Sequence, residues 1–570
     1  MSTFPGAAAA NIGGGFGANI STSDRVDASA AMGTLADNAT IATAIKDGQT
    51  TLGIELGSTN IKACLIDADT QQVIATGSHT WENSYVDRMW TYPLDAVWAG
   101  IQDAVAKLLA ATKAKYGVAP TNFAAIGISA MMHGYLAFDA AGELLVPFRT
   151  WRNTNTGAAA AALTTALDFN MPLRWSAAHY YQALLDNEPH IGQVAFLTTL
   201  AGYVHWRLTG AKVMGVGDAS GMFPIDPLTG TYDAGRLAAF DKLAVQHGSP
   251  SPLLDLLPAV LPAGAAAGHL TAAGALLLDP SGTIQPGALL CPPEGDAGTG
   301  MVATNAVAPR TGNVSVGTSI FAMVVLEQAL QRVHSEVDIV TTPAGDLVAM
   351  IHCNNGASEL ATWVKLFSEL LPLFGVNAYS DAIYEKLLGT ALTGAADGGG
   401  LIAYNYLAGE PITGLTEGRP LVARTPDSDF SLANFTRAEV YTVFATLALG
   451  MRILTAEGVA VEQLVAHGGL FKTPVVAQRL LAAAVNSAVA VAETAGEGGA
   501  WGIAVLAAYA AARQHGETRD LTAWLADVVF ASQPIRIEQP LPDDVAGFNA
   551  YLDRFSAALP IQHAATATLH

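Results

Sequence analysis

The chain has 570 residues, of which 51% are hydrophobic and 14% charged, and its formal net charge is -21. This length and composition exclude a disordered protein and indicate a globular chain with more than one core. The acidic balance provides no basic surface for nucleic acid or an anionic membrane, so neither is expected as a partner.

The three cysteines, Cys64, Cys291 and Cys353, lack the CxxC spacing of a metal or redox motif. Isolated thiols of this kind are typical of a cytoplasmic protein, and the chain does not open with the features of a secretory signal. The sequence contains no uninterrupted apolar run long enough to cross a bilayer. We therefore expect a cytoplasmic protein.

Residues 1–48 are rich in Gly, Ala, Ser and Asn, which predicts a flexible N-terminal extension. From Thr51, alternating apolar residues predict a strand, a tight turn and a second strand. The turn consists of Gly57, Ser58, Thr59 and Asn60. Its amides and hydroxyls suit a phosphate, and Glu55 just before it could hold Mg²⁺. An ordinary hairpin explains the pattern about equally well.

The next part of the chain combines a short strand with candidate ligand-binding residues. Phe123–Ile128 is predicted to be a strand, and His133 follows it beside a glycine, where it could contact a hydroxylated ligand. A lone histidine is more often structural. Trp151 and Arg152 could present an apolar face and donors to a small polar ligand, or form a packed aromatic loop.

Helical spacing recurs in both halves of the chain. The predicted helices are Pro93–Leu109, Ala158–Leu167, Thr198–Leu208, Ser358–Leu370, Phe435–Ala456 and Ala500–Ala511. Residues 217–226 are predicted to return to strand. Because each half opens with strands and glycine turns and closes with helices, we expect paired α/β domains facing a cleft.

The window from Glu294 to Ser319 contains two small-residue turns separated by a β-rich run. Asp296 is predicted to lie on the first turn, and Gly317, Thr318 and Ser319 form the second. A carboxylate that accepts a hydroxyl proton beside a bound phosphate chain is what a phosphoryl transferase requires. Either turn alone is more often an ordinary connection between two strands.

Four windows, in this order over about residues 51–515, resemble motifs of the FGGY carbohydrate kinases, which belong to the actin/hexokinase/Hsp70-like ATPase superfamily. They are the first phosphate motif (53–62), the catalytic-aspartate motif (295–298), the second phosphate motif (314–319) and the adenosine segment (468–478 with 499–504). The resemblance implies an α/β fold of two ribonuclease-H-like (actin-like ATPase) domains around a central cleft. Residues 49–308 would form the sugar-binding domain and residues 309–570 the nucleotide-binding domain.

The resemblance also implies roles for individual residues, with ATP and Mg²⁺ as cofactors and a small-molecule sugar as substrate. Asp296 would be the general base that activates the sugar hydroxyl, and Glu55 would hold the metal. The implied nucleotide-binding residues are Gly57, Ser58, Thr59, Asn60, Gly317, Thr318, Ser319, Gly468, Gly469 and Lys472. Met132, His133, Trp151 and Arg152 would bind the sugar, since Met132-His133-Gly134 is similar to the Met-His-Gly of xylulokinases.

Several positions depart from the family pattern. Glu55 stands where an Asp is usual, Met131 replaces a Gln before Met-His, Arg152 and Asn153 replace the usual Asn-Asp, and Ala482 replaces an acid. The resemblance implies a kinase of a ketopentose such as xylulose, and because the sugar-site positions are altered, ribulose, glycerol and erythritol are alternative substrates. A nucleotide-dependent sugar sensor without phosphotransfer and a purely structural protein are the other hypotheses, and a homodimer is left open.

Overall fold

The computed structural model describes residues 38–376, 380–492 and 498–569. The elements up to residue 303 are α1 (Asn38–Lys46), β1 (Thr50–Leu56), β2 (Asn60–Asp67), β3 (Val73–Thr80), β4 (Ser84–Val86), β5 (Met89–Thr91), α2 (Leu94–Tyr116), β6 (Ala125–Ala130), β7 (Leu136–Phe138), α3 (Gly157–Leu167), α4 (Ser176–Leu185), β8 (Phe196–Thr198), α5 (Leu200–Thr209), β9 (Val213–Gly215), α6 (Val216–Ala219), β10 (Ile225–Asp226), β11 (Thr231–Tyr232), α7 (Ala234–Ala244), α8 (Leu253–Leu256), β12 (Ala259–Leu261), α9 (Ala272–Leu278), β13 (Leu289–Leu290), β14 (Glu294–Gly295) and α10 (Asp296–Ala303).

The elements after residue 303 are β15 (Thr311–Val316), β16 (Ile320–Val325), β17 (Val337–Thr341), β18 (Leu347–Cys353), α11 (Ser358–Leu370), α12 (Ser380–Ala391), β19 (Ile402–Tyr404), β20 (Leu421–Ala423), α13 (Leu432–Ala456), β21 (Gln463–His467), α14 (Val476–Val485), β22 (Ala488–Ala492), α15 (Gly498–Gln514), α16 (Leu521–Trp524), β23 (Ile535–Glu538), α17 (Pro542–Ala557) and α18 (Pro560–Thr568).

Two mixed sheets organise the described chain, and both begin in the same way. In the first sheet the order is β13-β6-β1-β2-β3, with β14 also pairing with β6. In the second the order is β17-β18-β16-β15-β21-β22-β23. Each opens with an antiparallel hairpin, β1-β2 or β15-β16, whose first strand then pairs in parallel with a later strand, β6 or β21. The two hairpin turns therefore occupy equivalent places in the two sheets.

Three sequence expectations differ from the observed fold. Residues 38–48 were expected to belong to the flexible extension, but α1 covers most of them and Ile45 is buried in the first core; residues 1–37 lie outside the described residues. Of the stretch 217–226, predicted to return to strand, Ile225–Asp226 form β10, but the first residues belong to α6, because Ser220 Oγ and the backbone close a helical turn there. Asp296 is not on a turn but is the first residue of α10.

Helix α15, although late in the chain, lies directly on the first sheet. A Cβ on Gly53 of β1 would come within 2.1 Å of the carbonyl oxygen of Ala500, and one on Gly127 of β6 within 2.5 Å of that of Ile503. Thr51 Oγ1 also donates to the carbonyl oxygen of Ala504, at 3.0 Å. Helix α15 therefore contributes to the core of the first sheet.

One helix in the described part of the chain, α13, is long and apolar enough to cross a membrane, but 78% of its apolar window is buried. Its side chains pack into the core of the second sheet. The core helix of a globular domain has the same character, so α13 provides only weak evidence for a membrane. The three cysteines lie within the described residues, are buried, and form no disulfide.

The close approach of α15 to β1 predicts that Gly53→Ala destabilises the protein. The added methyl group would meet the helix backbone, which cannot move without shifting α15, so we expect a loss of about 2 kcal/mol or more in the free energy of unfolding. Urea unfolding measures it. Gly157→Ala, at the exposed start of α3 with no atom within 4 Å of its Cβ, is the control and should change stability by less than about 0.5 kcal/mol. Equal stability of both variants would contradict the packing argument.

Candidate active site

The turn between β1 and β2 has its carbonyl groups engaged by an aromatic pair. Trp81 Nε1 donates to the Gly57 carbonyl at 2.8 Å, Tyr92 Oη donates to that of Ser58 at 2.7 Å, and the Trp81 amide donates to that of Thr59 at 3.1 Å. The two rings stack, with centroids 4.2 Å apart. Ser58 and Thr59 are exposed. Ser58 and Thr59 therefore lie on the open side of the turn, and backbone amides and hydroxyls are the groups that bind phosphate.

The Asn60 side chain closes this turn on itself. Its amide nitrogen donates to Thr59 Oγ1 at 3.1 Å, and its side-chain oxygen accepts from Thr80 Oγ1 at 3.1 Å. The Gly57 amide donates to the Asn60 carbonyl at 3.0 Å. Asn60 thus shapes the predicted phosphate turn, and its side chain is already engaged by neighbours.

The turn between β15 and β16 is held from behind in a similar way. The Gly356 amide donates to the Thr318 carbonyl at 2.7 Å, and the Ala357 amide donates to the Gly317 carbonyl at 2.9 Å. Asn405 Nδ2 in turn donates to the Gly356 carbonyl at 2.7 Å. Gly317 and Thr318 are exposed. In this second turn too, the carbonyl groups are hydrogen-bonded to the protein while the residues themselves are accessible to a ligand.

The predicted adenosine segment begins beside that turn. Because β15 and β21 are parallel neighbours, Gly468, which follows β21, lies next to the end of β15. Gly468 has a φ of +121°, and a Cβ there would come within 2.1 Å of the Val316 carbonyl oxygen, so only glycine fits. Gly469 and Lys472 bound a single 3₁₀ turn and are both exposed.

Val475, at the start of α14, has a φ of +73°. Such a backbone conformation is unfavourable for a β-branched residue, and strain of this kind concentrates where a ligand is bound. It lies three residues after Lys472, within the predicted adenosine segment. The strained position is therefore consistent with a binding role for this loop.

Asp296 lies where β14 passes into α10. Its Oδ1 accepts a hydrogen bond from the Met132 amide at 3.1 Å, which fixes the carboxylate beside the predicted sugar motif. Burial raises the pKa of Asp296, and amide hydrogen bonds, first that of Met132, oppose this rise. A position at a helix N-terminus also favours the carboxylate form. The arrangement leaves an oriented carboxylate suited to accept a proton.

Glu55, at the end of β1, contacts the N-terminus of α15. Its Oε2 accepts from the Ala500 amide at 3.2 Å, and a Cβ on Gly499 would lie 2.3 Å from its Oε1. Burial, and then the charge of Asp296, raise the pKa of Glu55 to about 7. Gly499 thus makes room for the glutamate side chain, and the carboxyl group binds the first turn of α15.

His133 adopts a left-handed backbone conformation, with a φ of +72°. Its Nδ1 lies 3.3 Å from the Gly221 carbonyl, which can only accept, so this nitrogen carries the proton. Burial, and then the charge of Arg174, lower the pKa of His133 to about 3, so the ring is neutral. Its Nε2 is therefore an acceptor that a substrate hydroxyl could use.

Trp151 and Arg152 are placed differently from each other. Trp151 is partly buried against the first core. The Arg152 guanidinium stacks 3.9 Å above the Trp90 ring and donates to Asn83 Oδ1 at 3.1 Å. Asn153 holds the Trp90 backbone through hydrogen bonds to its N–H and C=O, both at 2.8 Å. Arg152 is therefore tied to the β4-β5 hairpin by contacts that the sequence did not suggest.

Sequence reasoning gave no role to several residues that support the predicted site. Gly356 and Asn405 hold the second turn, while Glu294 and Asp218 are buried carboxyl groups near Asp296. Burial and then coulombic coupling between these two acids raise the pKa of Glu294 to about 8, and burial raises that of Asp218 to about 7. The one sequence signal for Glu294 is its position two residues before the candidate base, Asp296.

Family models match most of the chain. Residues 50–280 match the N-terminal domain, and residues 312–511 the C-terminal domain, of the FGGY family of carbohydrate kinases. No curated protein matches the sequence.

Solved structures share the fold at low sequence identity. A xyloylose kinase from Brucella ovis superposes with a TM-score of 0.73 at 20% identity, covering 90% of this chain and 99% of its own. A gluconate kinase from Lactobacillus acidophilus gives 0.71 at 17%, covering 91% and 98%. A glycerol kinase from Plasmodium falciparum gives 0.67 at 12%, covering 89% and 98%. The expected two-domain, actin-like α/β fold is confirmed.

The support behind the second turn predicts the effect of Gly356→Ala. A Cβ there would lie 2.3 Å from the Gly317 carbonyl oxygen and 2.9 Å from that of Thr318, so the turn must shift. We expect the Kd for ATP, measured by calorimetry, to rise about tenfold, which corresponds to about 1.4 kcal/mol. Gly389→Ala, in α12 with nothing near its Cβ, should bind ATP like the unmodified protein. Unchanged affinity in Gly356→Ala would contradict a nucleotide role for this turn.

Proposed function

The chain belongs to the FGGY family of carbohydrate kinases, which are phosphotransferases with an alcohol acceptor, and we propose that its acceptor is a ketopentose. Xylulose is the first candidate. The observation that carries the proposal is the Asp296 carboxylate, held by the Met132 amide beside His133. A base next to hydroxyl-binding groups is what transfer to a sugar hydroxyl requires.

In the proposed reaction, Asp296 accepts the proton of the sugar hydroxyl as that oxygen attacks the γ-phosphorus of ATP. One P–O bond forms to the sugar oxygen, the bond to the leaving ADP oxygen breaks, and the proton remains on Asp296 until solvent removes it. The Met132 amide orients the Asp296 carboxylate. The neutral His133 ring accepts a hydrogen bond from a second hydroxyl of the sugar. Positioning of these groups supplies most of the rate enhancement.

The chemistry of the two turns supports ATP as the phosphoryl donor, and kinases of this family use ATP. Ser58 and Thr59 on the first turn, and Thr318 and Ser319 on the second, would offer amides and hydroxyls from equivalent places in the two sheets. Such donors replace the water that solvates phosphate oxygens. The Gly317 amide already donates to the Ser319 carbonyl at 3.0 Å, so Gly317 would contribute by leaving room for the phosphate. Gly468 and Gly469 would allow the adenosine to approach the backbone, with Lys472 at the border of its pocket.

The carboxylate of Glu55 fits Mg²⁺, which prefers oxygen ligands and usually keeps several waters. The described residues contain no group of three or more His, Cys, Asp and Glu that could hold a metal ion, and a cation bound mainly through phosphate oxygens needs no such group. When bound, Mg²⁺ would neutralise charge on the phosphates. Glu55 would contribute one carboxylate, directly or through water.

The residues around His133 bear on which sugar is bound. Xylulose is favoured by the Met132-His133-Gly134 motif, and the structural neighbours include xylulose, gluconate and glycerol kinases. Arg152 is turned onto Trp90, so Trp151 is the residue of this pair that we expect to line the sugar pocket. Asp296 weighs against the sensor hypothesis, because a sensor has no need of a base at that position.

The proposed reaction predicts the behaviour of Asp296→Asn. Replacing the base by an amide should lower kcat by about a thousandfold or more while leaving the Kd for ATP within about threefold. Sugar-dependent ADP release should be measured with Mg-ATP for xylulose, ribulose, gluconate, glycerol and erythritol. Strong stimulation by one sugar that vanishes in the variant is the expected result. Full activity in Asp296→Asn would refute its role, and stimulation by none of the sugars, with sugar binding retained, would favour the sensor.

The proposed metal role predicts that Glu55→Gln raises the Mg²⁺ concentration needed for half-maximal activity by about tenfold, because an amide oxygen attracts a divalent cation more weakly than a carboxylate. A magnesium titration at saturating ATP and sugar measures this. Glu143→Gln, which changes an exposed glutamate outside the predicted site, should not shift the curve. Superimposable curves for all three proteins would remove Glu55 from the metal site.

A further inference from the structure

Glu294 is a fully buried carboxyl group two residues before Asp296, and the reaction proposed above does not use it. Its Oε2 accepts from the Asp218 amide at 2.9 Å and its Oε1 from the Gly217 amide at 3.3 Å. Both amides belong to α6, so the side chain joins β14 to the first turn of that helix. Burying a carboxyl group is costly unless such hydrogen bonds compensate, so this contact needs an explanation.

The Glu294 carboxyl group fits closely against two glycines, Gly215 and Gly217. A Cβ on Gly215 would lie 2.2 Å from Oε1, and one on Gly217 would lie 2.5 Å from Oε2. The Gly215 amide also donates to the Pro293 carbonyl at 2.8 Å. Two glycines therefore make room for the carboxyl group, and a backbone hydrogen bond fixes the same junction one residue before it.

The same junction fixes the peptide that leads into Asp296. A Cβ on Gly295 would lie 2.8 Å from Met132 Cγ and 3.1 Å from Asp218 Oδ1, so Gly295 is enclosed from two sides. Asp218 is itself held, since its Oδ2 accepts from Thr199 Oγ1 at 2.6 Å. Movement of α6 would therefore displace the residue next to the proposed base.

Helix α6 is also bonded to the second sheet. Thr341, the last residue of β17, donates from Oγ1 to the Val216 carbonyl at 3.0 Å and from its amide to Ser220 Oγ at 3.0 Å. Ser220 Oγ donates to the Gly217 carbonyl at 2.5 Å. A continuous set of hydrogen bonds thus runs from β17 through α6 to Glu294, and from there along the chain to Asp296.

We propose that Glu294 is a positioning residue for Asp296, holding α6 against β14 so that the base keeps its place relative to Met132 and to the second sheet. The inference rests on the proposed function. Glu294 does not touch the substrate, and its effect on the reaction passes through the backbone of Gly295 and through α6. Its loss should therefore alter the alignment of the base more than the binding of either substrate.

Two substitutions of Glu294 distinguish a role in positioning Asp296 from a role in stabilising the fold. Glu294→Gln keeps a side-chain oxygen for the Asp218 amide, whereas Glu294→Leu removes both acceptors at similar volume. We expect Glu294→Leu to lower kcat at least tenfold with both KM values within threefold, and Glu294→Gln to keep kcat within threefold. Glu439→Leu, which removes an equally buried carboxyl group on α13, is the control and should leave the kcat of the folded protein unchanged.

A third variant tests the link without altering Glu294. Thr341→Val removes the hydroxyl that donates to Val216 and preserves shape, so we expect kcat to fall about threefold to tenfold with unchanged KM values. Its control is Thr446→Val, which removes a buried hydroxyl bonded to Tyr406 in the second core. This variant decides the inference if Glu294→Leu does not fold, because unchanged kcat in Thr341→Val would overturn it.

Hydrogen exchange of the Met132 amide provides a readout that does not require turnover. This amide donates to Asp296, so its exchange should be at least tenfold faster in Glu294→Leu, or in Thr341→Val, and unchanged in Glu294→Gln and both controls. Unchanged exchange in the first two variants, or equal loss of kcat in the Gln and Leu variants, would overturn the inference. If the unmodified protein phosphorylates no sugar, the proposed function fails, and the exchange data still decide whether Glu294 positions Asp296.

Discussion

The site depends on the direct contact between helix α15 and the first sheet. Small residues on both sides let the backbone of the helix meet β1 and β6, as the short distances from Gly53 and Gly127 to α15 show. This contact brings the Ala500 amide to Glu55. It also packs α15 against α10, where a Cβ on Gly502 would lie 2.2 Å from the Thr299 carbonyl oxygen. The helix that carries Asp296 and the strand that carries Glu55 are thus placed by one packing interaction.

A second feature is the concentration of carboxyl groups in a site that is proposed to bind polyanionic ATP. The pKa values of Glu55, Asp218, Glu294 and Asp296 are all raised, in each case chiefly by burial. Raised pKa values mean that several of these groups carry less negative charge near neutral pH than their number suggests. The repulsion that a phosphate chain would meet is reduced accordingly, and Mg²⁺ at Glu55 would reduce it further.

In both predicted phosphate turns the carbonyl groups are hydrogen-bonded by neighbouring groups, but the donors differ. In the first, the side chains of Trp81 and Tyr92 occupy the carbonyl groups, and in the second the backbone amides of Gly356 and Ala357 do so. In both cases the first amide closes the turn, from Gly57 to the Asn60 carbonyl and from Gly317 to the Ser319 carbonyl, while Ser58, Thr59 and Thr318 remain exposed to a ligand. The rigidity that this gives would limit the ordering cost when nucleotide binds, because the donors are already oriented.

The sequence alone determined the local features of this protein. Alternating apolar residues predicted β1 and β2, and a compact apolar run predicted β6. Helical spacing predicted α11 with both ends correct, and glycine-flanked motifs pointed to the turns and to Asp296 as the candidate base. These patterns follow from period and backbone freedom, which are properties of short segments. The same reasoning placed residues 217–219 in a strand rather than in α6, and residues 38–48 in an extension, because neither segment shows its burial in its own composition.

Only the tertiary structure decided which distant residues meet. Glu55 and Ala500 are 445 positions apart, and no local pattern shows that Gly499 makes room for that glutamate. The partners of Glu294 on α6 and the stacking of Arg152 on Trp90 were equally invisible, since a side chain acquires its neighbours only when elements pack. Periodicity specifies which face of an element is buried, whereas the shape of the assembled core selects what lies against it.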